Sequence, residues 1–266
     1  MPRFYLRELI RQLSARRFRW HHPFSGKEME LTLTADQKAV VVLWSKDFSL
    51  FLSHRQAFET WPLFFHFTIN TPDPLLEPDL PSLDDRLHQL SRLVDLHGTK
   101  AVRWRFDPIV WYHVAGNARS NLPGFPAIAR RVESLGIHDV TISFMDSYRK
   151  ISRRVRRQGE RVTFAFPSDV DLIERFLEPA EQLSDMGFTI HTCCEPVLAA
   201  SGLPGVSAGR CIDAYLLSEI SGFELSPTPD HGQRRSAGCG CHKSTDIGCY
   251  THHRCCGQCL YCYARP

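Results

Sequence analysis

Apolar residues recur along this chain with two periods that alternate from one stretch to the next. Residues 4–13 space them three and four apart, which predicts an amphipathic helix. Beyond a His21-His22-Pro23 turn, residues 29–34 alternate apolar and polar in the manner of a half-buried strand. A continuous apolar run follows at 39–44, as in a strand buried on both faces, and stops abruptly at Ser45-Lys46-Asp47. The same grammar returns at 64–69, 101–106, 140–144, 162–166 and 188–191. Helical periods fill the gaps at 48–60, 82–97, 124–135, 147–158 and 170–186, and a short helix is expected to open at Cys211-Ile212-Asp213.

Strand alternating with helix predicts parallel β–α units. The expected fold is therefore α/β, a full or partial TIM-like (β/α) barrel over residues 1–221, followed by a linker and a cysteine-rich segment, 222–266, packed on the barrel mouth. Barrel sites gather at the carboxyl ends of strands. Lys46, Thr68, Arg105, Asp107, Ser143, Asp146, His191 and Cys193 all follow such ends and should face one mouth. The plain reading of Arg105 and Asp107 is an ion pair that steadies a loop.

Composition narrows the class. A 266-residue chain that is 43% hydrophobic and 23% charged has material for a real core, which argues against disorder. The net charge of +3 is too small to mark a nucleic-acid surface. Basic segments at Arg16–Arg19 and Arg153–Arg157 permit a nucleic-acid partner, but solvated helix faces account for them equally. No apolar run approaches the ~20 residues needed to cross a bilayer, and no secretory leader is visible, so a cytoplasmic protein is expected. In a reducing compartment the ten cysteines are thiols and metal ligands rather than disulfides. A G-x4-G-K phosphate loop and a G-x-S-x-G elbow are both lacking, which leaves nucleotide hydrolysis and serine-esterase chemistry without support.

Seven of the ten cysteines lie between Cys239 and Tyr263, and three of them, Cys255, Cys259 and Cys262, have C-x3-C-x2-C spacing. One short loop can turn these three thiolates toward a common metal centre. A closed zinc site or a four-iron cube takes four ligands. Either a fourth ligand arrives from elsewhere, or one iron stays open to an outside molecule. Cys193, Cys211, Cys239 and Cys241, with Cys194 as substitute for Cys193, make a further four thiolates, enough for a second, auxiliary cluster. The competing reading makes Cys193 and Cys211 buried small apolar residues. The rival metal is zinc, held by Cys239, Cys241, Cys255 and Cys259, or with His242, His252 or His253 among its ligands. Cys249 and Cys256 are left over.

The loop, with Tyr261 before its last cysteine and Tyr263-Ala264 after it, resembles the cluster loop of radical S-adenosylmethionine enzymes. More closely, the chain resembles the domain of unknown function 1848 family. That likeness rests on W-S-K at Trp44–Lys46, H-F-T at His66–Thr68, W-R-F-D-P at Trp104–Pro108, S-F-M-D at Ser143–Asp146, T-C at Thr192-Cys193, C-I-D at Cys211–Asp213 and the terminal C-G-C and S-T-D-I-G-C-Y. It implies a 4Fe-4S cluster on Cys255, Cys259 and Cys262 whose open iron binds S-adenosylmethionine. It also implies reductive cleavage to a 5′-deoxyadenosyl radical that acts on an unknown substrate, with electrons from a flavodoxin or ferredoxin. Tyr261 would neighbour the cofactor. Lys46 or Arg105 can pair with its carboxylate, and Asp107 or Asp146 can accept from a ribose hydroxyl or from substrate. The alternative is a non-catalytic metal-binding or electron-transfer protein. Two departures stand out. The loop is at the chain's end rather than after its first strand, and the chain starts at the P-R-F-Y that would follow the family's opening strand, as a displaced start would leave it.

Overall fold

The computed structural model describes residues 2–22, 25–157, 161–248, 252–253 and 255–264. Helix α1 (Leu6–Ala15) buries Leu6, Leu9 and Leu13 at the spacing its sequence sets. At Arg16 the backbone turns left-handed (φ 49°) into an antiparallel hairpin of β1 (Arg17–His21) and β2 (Glu28–Thr32). The basic run at 16–19 is therefore mostly strand and not a helix face. Arg17 and Arg19 reach across to Glu30, Nε to carboxylate at 2.8 and 2.7 Å, as opposite charges do on facing strands.

The chain continues through β3 (Val41–Ser45), α2 (Ser49–Ser53), β4 (Leu63–Thr68), α3 (Leu83–His97) and β5 (Val102–Ile109). Next come β6 (Trp111–Val114), β7 (Asn117–Ser120), α4 (Phe125–Glu133), β8 (Asp139–Phe144), α5 (Arg149–Arg157) and β9 (Val162–Ala165). It ends with α6 (Asp169–Asp185), β10 (Thr189–Thr192), α7 (Pro196–Ala199), β11 (Val206–Ala208) and α8 (Ala214–Ser221). Ser82 opens α3 by accepting a hydrogen bond from the Asp85 amide, and a reciprocal Ser168–Asp171 box opens α6.

Six strands form one parallel sheet in the order β3-β4-β5-β8-β10-β11. The architecture is α/β, as the alternation predicts, but the sheet is open. β3 and β11 lie at its two edges instead of meeting, so a full barrel is not formed. Two expected members have gone elsewhere. The strand at 29–34 stays in the N-terminal hairpin, and β9 pairs antiparallel with β6 in a separate three-stranded sheet, so β8 pairs directly with β10. The β6–β7 hairpin turns on Ala115 (φ 49°) and Gly116 (φ 81°), the two successive positive angles a tight hairpin turn demands.

Period-two alternation gives the parallel sheet two unlike faces. Phe65, Phe67, Trp104, Phe106, Val140, Ile142 and Ile190 point into the main core with Leu90 and Leu93 of α3, Phe125 and Ala129 of α4, and Phe176 and Leu183 of α6. Each such side chain contributes roughly 1.5–3 kcal/mol on burial. The opposite face is polar. In register across it stand Trp44, His66 and Arg103, and one step on Thr68, Arg105, Thr141 and His191. A second, smaller core joins Val110, Tyr112, Ile151, Val155 and Val162 to Cys259, Leu260 and Tyr261, so the terminal loop is itself a packed element. Among the described residues no helix is long and apolar enough to cross a membrane.

Candidate functional site

The chemistry-bearing residues collect beyond the carboxyl ends of the parallel strands, in two groups of cysteines. The first is the terminal loop. The Cys255 and Cys262 thiols hydrogen-bond to each other, and Cys259, buried beside them, interacts with Cys255. Burial pushes the Cys259 thiol up to about 11, against the pull of Lys46. The Cys262 bond raises Cys255 as well.

Groups other than sulfur fix the loop's backbone. Buried Arg154 of α5 donates Nη1 to the carbonyls of Leu260 (2.8 Å) and Cys262 (2.9 Å). The Leu260 amide donates to Leu76 O at 2.8 Å. Tyr261 points inward, its hydroxyl on the Glu77 carboxylate and receiving Asn70 Nδ2 at 3.1 Å. Burial works to raise the Glu77 carboxyl, but Lys46 Nζ at 2.9 Å, the Tyr261 hydroxyl and Arg86 together overcome it and leave the carboxyl below its ordinary value.

The second group is built from three segments. Cys193 and Cys194 follow β10, Cys211 precedes α8, and Cys239 and Cys241 come from the tail. Cys193 Sγ is 3.5 Å from Cys211 Sγ, too far for a disulfide and close enough for an S–H···S contact. Cys194 bonds through its thiol to both Cys193 and Cys239, and Cys211 bonds to Cys241. Successive residues in an extended strand face opposite ways. Cys194 is left-handed (φ 62°), and that turn lets two consecutive thiols join one set. Gly209 lets Cys211 approach, since its amide bonds Thr192 O at 3.0 Å and an added Cβ would sit 2.8 Å from that same oxygen.

N–H donors converge on these sulfurs. The amides of Cys211 and Ile212 point at Cys241 Sγ (3.2 and 3.5 Å), and Arg105 Nη1 at Cys211 Sγ (3.0 Å). Hydrogen bonds from Cys193 and Cys241 hold the Cys211 thiol well below its ordinary value, although burial opposes them. A sulfur that gathers donors suits the thiolate form, and all-thiolate sets select zinc, copper(I) or iron–sulfur centres. Zinc, however, needs its sulfurs about 2.3 Å from one common point. Among the described residues no three His, Cys, Asp or Glu side chains are disposed to hold one ion.

A polar ridge links the groups. Arg105 forks onto Asp107 Oδ2 with Nε at 3.0 Å and Nη2 at 2.5 Å, while its remaining nitrogen faces Cys211. Ser143 donates to the other Asp107 oxygen. Lys46 Nζ and Asn70 Nδ2, both at 3.2 Å, share the Asp107 carbonyl. Asn70 carries the chain of contacts on to Glu77 and Tyr261.

Lys46, Arg105, Asp107, Ser143 and Cys193 are thus brought together as expected. Arg105 and Asp107 form the loop-steadying ion pair and do more besides. Asp146 stands apart, exposed and engaged with Arg234 at 2.6 Å. His191 pairs with Asp139 at 2.6 Å. The zinc set of Cys239, Cys241, Cys255 and Cys259 draws two sulfurs from each group. His242 accepts from the Ala214 amide at 2.8 Å, and His253 contacts Glu8 at 3.0 Å. Exposed Cys256 hydrogen-bonds Tyr5, whereas Cys249 lies outside the described residues.

His66, Asn70, Glu77, Arg103 and Arg154 were not foreseen. The strand period exposes two of them, since Arg103 and His66 precede Arg105 and Thr68 by two residues and share their face. No local signal marks Glu77 or Arg154. His66 is fully buried and lowered to about 3, first by burial and then by Arg105; its Nε2 contacts Cys211 O at 2.7 Å. The family described as a domain of unknown function, DUF1848, matches residues 1–264. No curated protein matches the chain.

Proposed function

We propose, for a chain that belongs to the DUF1848 family, a radical S-adenosylmethionine-like iron–sulfur enzyme whose 4Fe-4S cluster is held by Cys255, Cys259 and Cys262. When bound, such a cluster supplies one-electron reduction of S-adenosylmethionine, releasing methionine and a 5′-deoxyadenosyl radical to act on a substrate. The observation that carries this reading is the terminal loop itself. Its Cys255 and Cys262 thiols meet, and Cys259 interacts with Cys255, on a backbone pinned by Arg154 and Leu76 beyond the carboxyl ends of parallel strands. The order of the parallel strands has no reversal, which suits a partial barrel whose strand ends would face a single mouth.

Each nearby residue has a task that does not depend on the cluster's own chemistry. Lys46, between Glu77 and the Asp107 carbonyl, supplies the cation beside Cys259. Tyr261 and Leu260 seal the loop's inner side with apolar surface and so exclude water. Asp107 sits where a hydroxyl could donate to it, beside Ser143. The electron donor would be a flavodoxin or ferredoxin.

One observation favours the non-catalytic, electron-transfer alternative: Arg105 and Lys46, the cations nominated for a cofactor carboxylate, already have internal anionic partners. Anaerobic reconstitution separates the two. The enzyme reading expects bound iron and sulfide, 5′-deoxyadenosine on reduction with S-adenosylmethionine, and loss of that product in Cys259→Ala. Iron without 5′-deoxyadenosine leaves the electron-transfer reading. Stoichiometric zinc without sulfide removes both iron readings.

A further inference from the structure

We propose that Cys193, Cys211, Cys239 and Cys241, with Cys194 as substitute for Cys193, cradle a second iron–sulfur centre, separate from the terminal loop, and that Arg105 is its positioning and tuning residue. Thiols buried as small apolar residues have no need of polar company. Here three N–H groups aim at two of the sulfurs, from Cys211 and Ile212 onto Cys241 and from Arg105 onto Cys211. Such donors stabilise thiolate charge, and hydrogen bonds to ligand sulfur set the potential of an iron–sulfur cluster.

The backbone is bent to the same end. Left-handed φ at a non-glycine residue costs on the order of 1–3 kcal/mol and persists where surrounding structure enforces it. Cys194 adopts it, and the result is that both members of a consecutive pair face one set of sulfurs. Gly209 supplies the close approach that brings Cys211 alongside. No three of these side chains are disposed to hold one ion as they stand, and a cube, which would place each thiolate on its own iron, would part Cys193 and Cys211 from their 3.5 Å contact.

Arg105 is suited to tuning because its fork is fully committed. Two nitrogens hold Asp107, and Ser143 holds the carboxylate from its other side, so Nη1 is fixed toward Cys211. A lysine keeps the charge but cannot make both contacts.

The test removes the loop thiols and asks what stays. The Cys255→Ser/Cys259→Ser/Cys262→Ser variant, reconstituted anaerobically with iron and sulfide, should retain about four of each per chain, as one four-iron cube requires. Absence of iron in that folded variant, or one zinc without sulfide, overturns the proposal. Should the triple variant not fold, Cys211→Ser/Cys241→Ser with the loop intact decides. Its iron should fall by about four from the wild-type content, and unchanged iron overturns the proposal. Wild-type iron equal to that of the triple variant would support the second centre while refuting the loop cluster, so the two readings fail separately. In the triple-variant background, Arg105→Lys should retain iron and shift the centre's reduction potential to more negative values. An unmoved potential overturns the role given to Arg105.

Discussion

A guanidinium is one of the groups that hold the terminal loop to the rest of the molecule. Arg154 lies in the basic segment 153–157, which reads as a solvated helix face, yet it is buried and spans two carbonyls of the cysteine loop. Hydrogen bonds from a charged donor contribute roughly 1.5–3 kcal/mol each. Arg154→Ala should therefore speed amide exchange at Leu260 by about tenfold or more, by that same arithmetic, while exchange in the parallel sheet stays unchanged. Its role was hidden because helical periodicity sorts residues by apolar spacing, and an arginine facing inward breaks that rule. His97 is a second inward polar group. Burial lowers its imidazole below the ordinary value, and its Nε2 is buried without a hydrogen-bond partner. The fold thus favours the neutral ring, and the unfolded chain binds more protons as pH drops below the ordinary histidine value of about 6.5. Stability should decline between pH 7 and 5 in urea titrations, and His97→Phe should lessen that decline; an identical acid limb would refute it.

Among the elements, five of the six strands of the parallel sheet were legible, whereas the short edge strand β11 and the hairpins were not. Runs such as 64–69 and 101–106 combine apolar length with an abrupt polar end, and β4 and β5 stand there within a few residues. The strand at 17–21 carries two arginines and hides its pairing, because its anionic partner, Glu30, is on the neighbouring strand. β9 reads correctly as a strand, but period alone cannot say which sheet it joins. The cysteine spacing pointed to the first thiol group and a count of the remaining cysteines to the second, whose contacts between distant segments only the fold assembles. Gly209 is the element-level hinge of that assembly. Adding a methyl 2.8 Å from the Thr192 oxygen must displace the strand that delivers Cys211. Gly209→Ala should lower metal content in the triple-serine background more than in wild-type loop-bound metal, as metal analysis of both will read.

At the scale of the whole molecule, one sheet separates two environments. Its apolar face carries the stability, and Phe65, fully buried among Phe48, Phe51 and His97, is central to it. Phe65→Ala should cost about 3–5 kcal/mol in denaturant titration, the range for truncating a core phenylalanine. The polar face carries the candidate site, and the period-two alternation of each run separates the two faces. That the sheet stays open is less visible in sequence, since closure depends on where β9 and the edge strands β3 and β11 find partners.

Among the anchors of the terminal loop are a guanidinium, a phenol and a peptide group, which do not depend on what its sulfurs hold. In small zinc modules the metal is the folding energy, and a chelator unravels them. Here the vessel should outlast the proposed cube, which could then be stripped and rebuilt without the loop's backbone losing its hold.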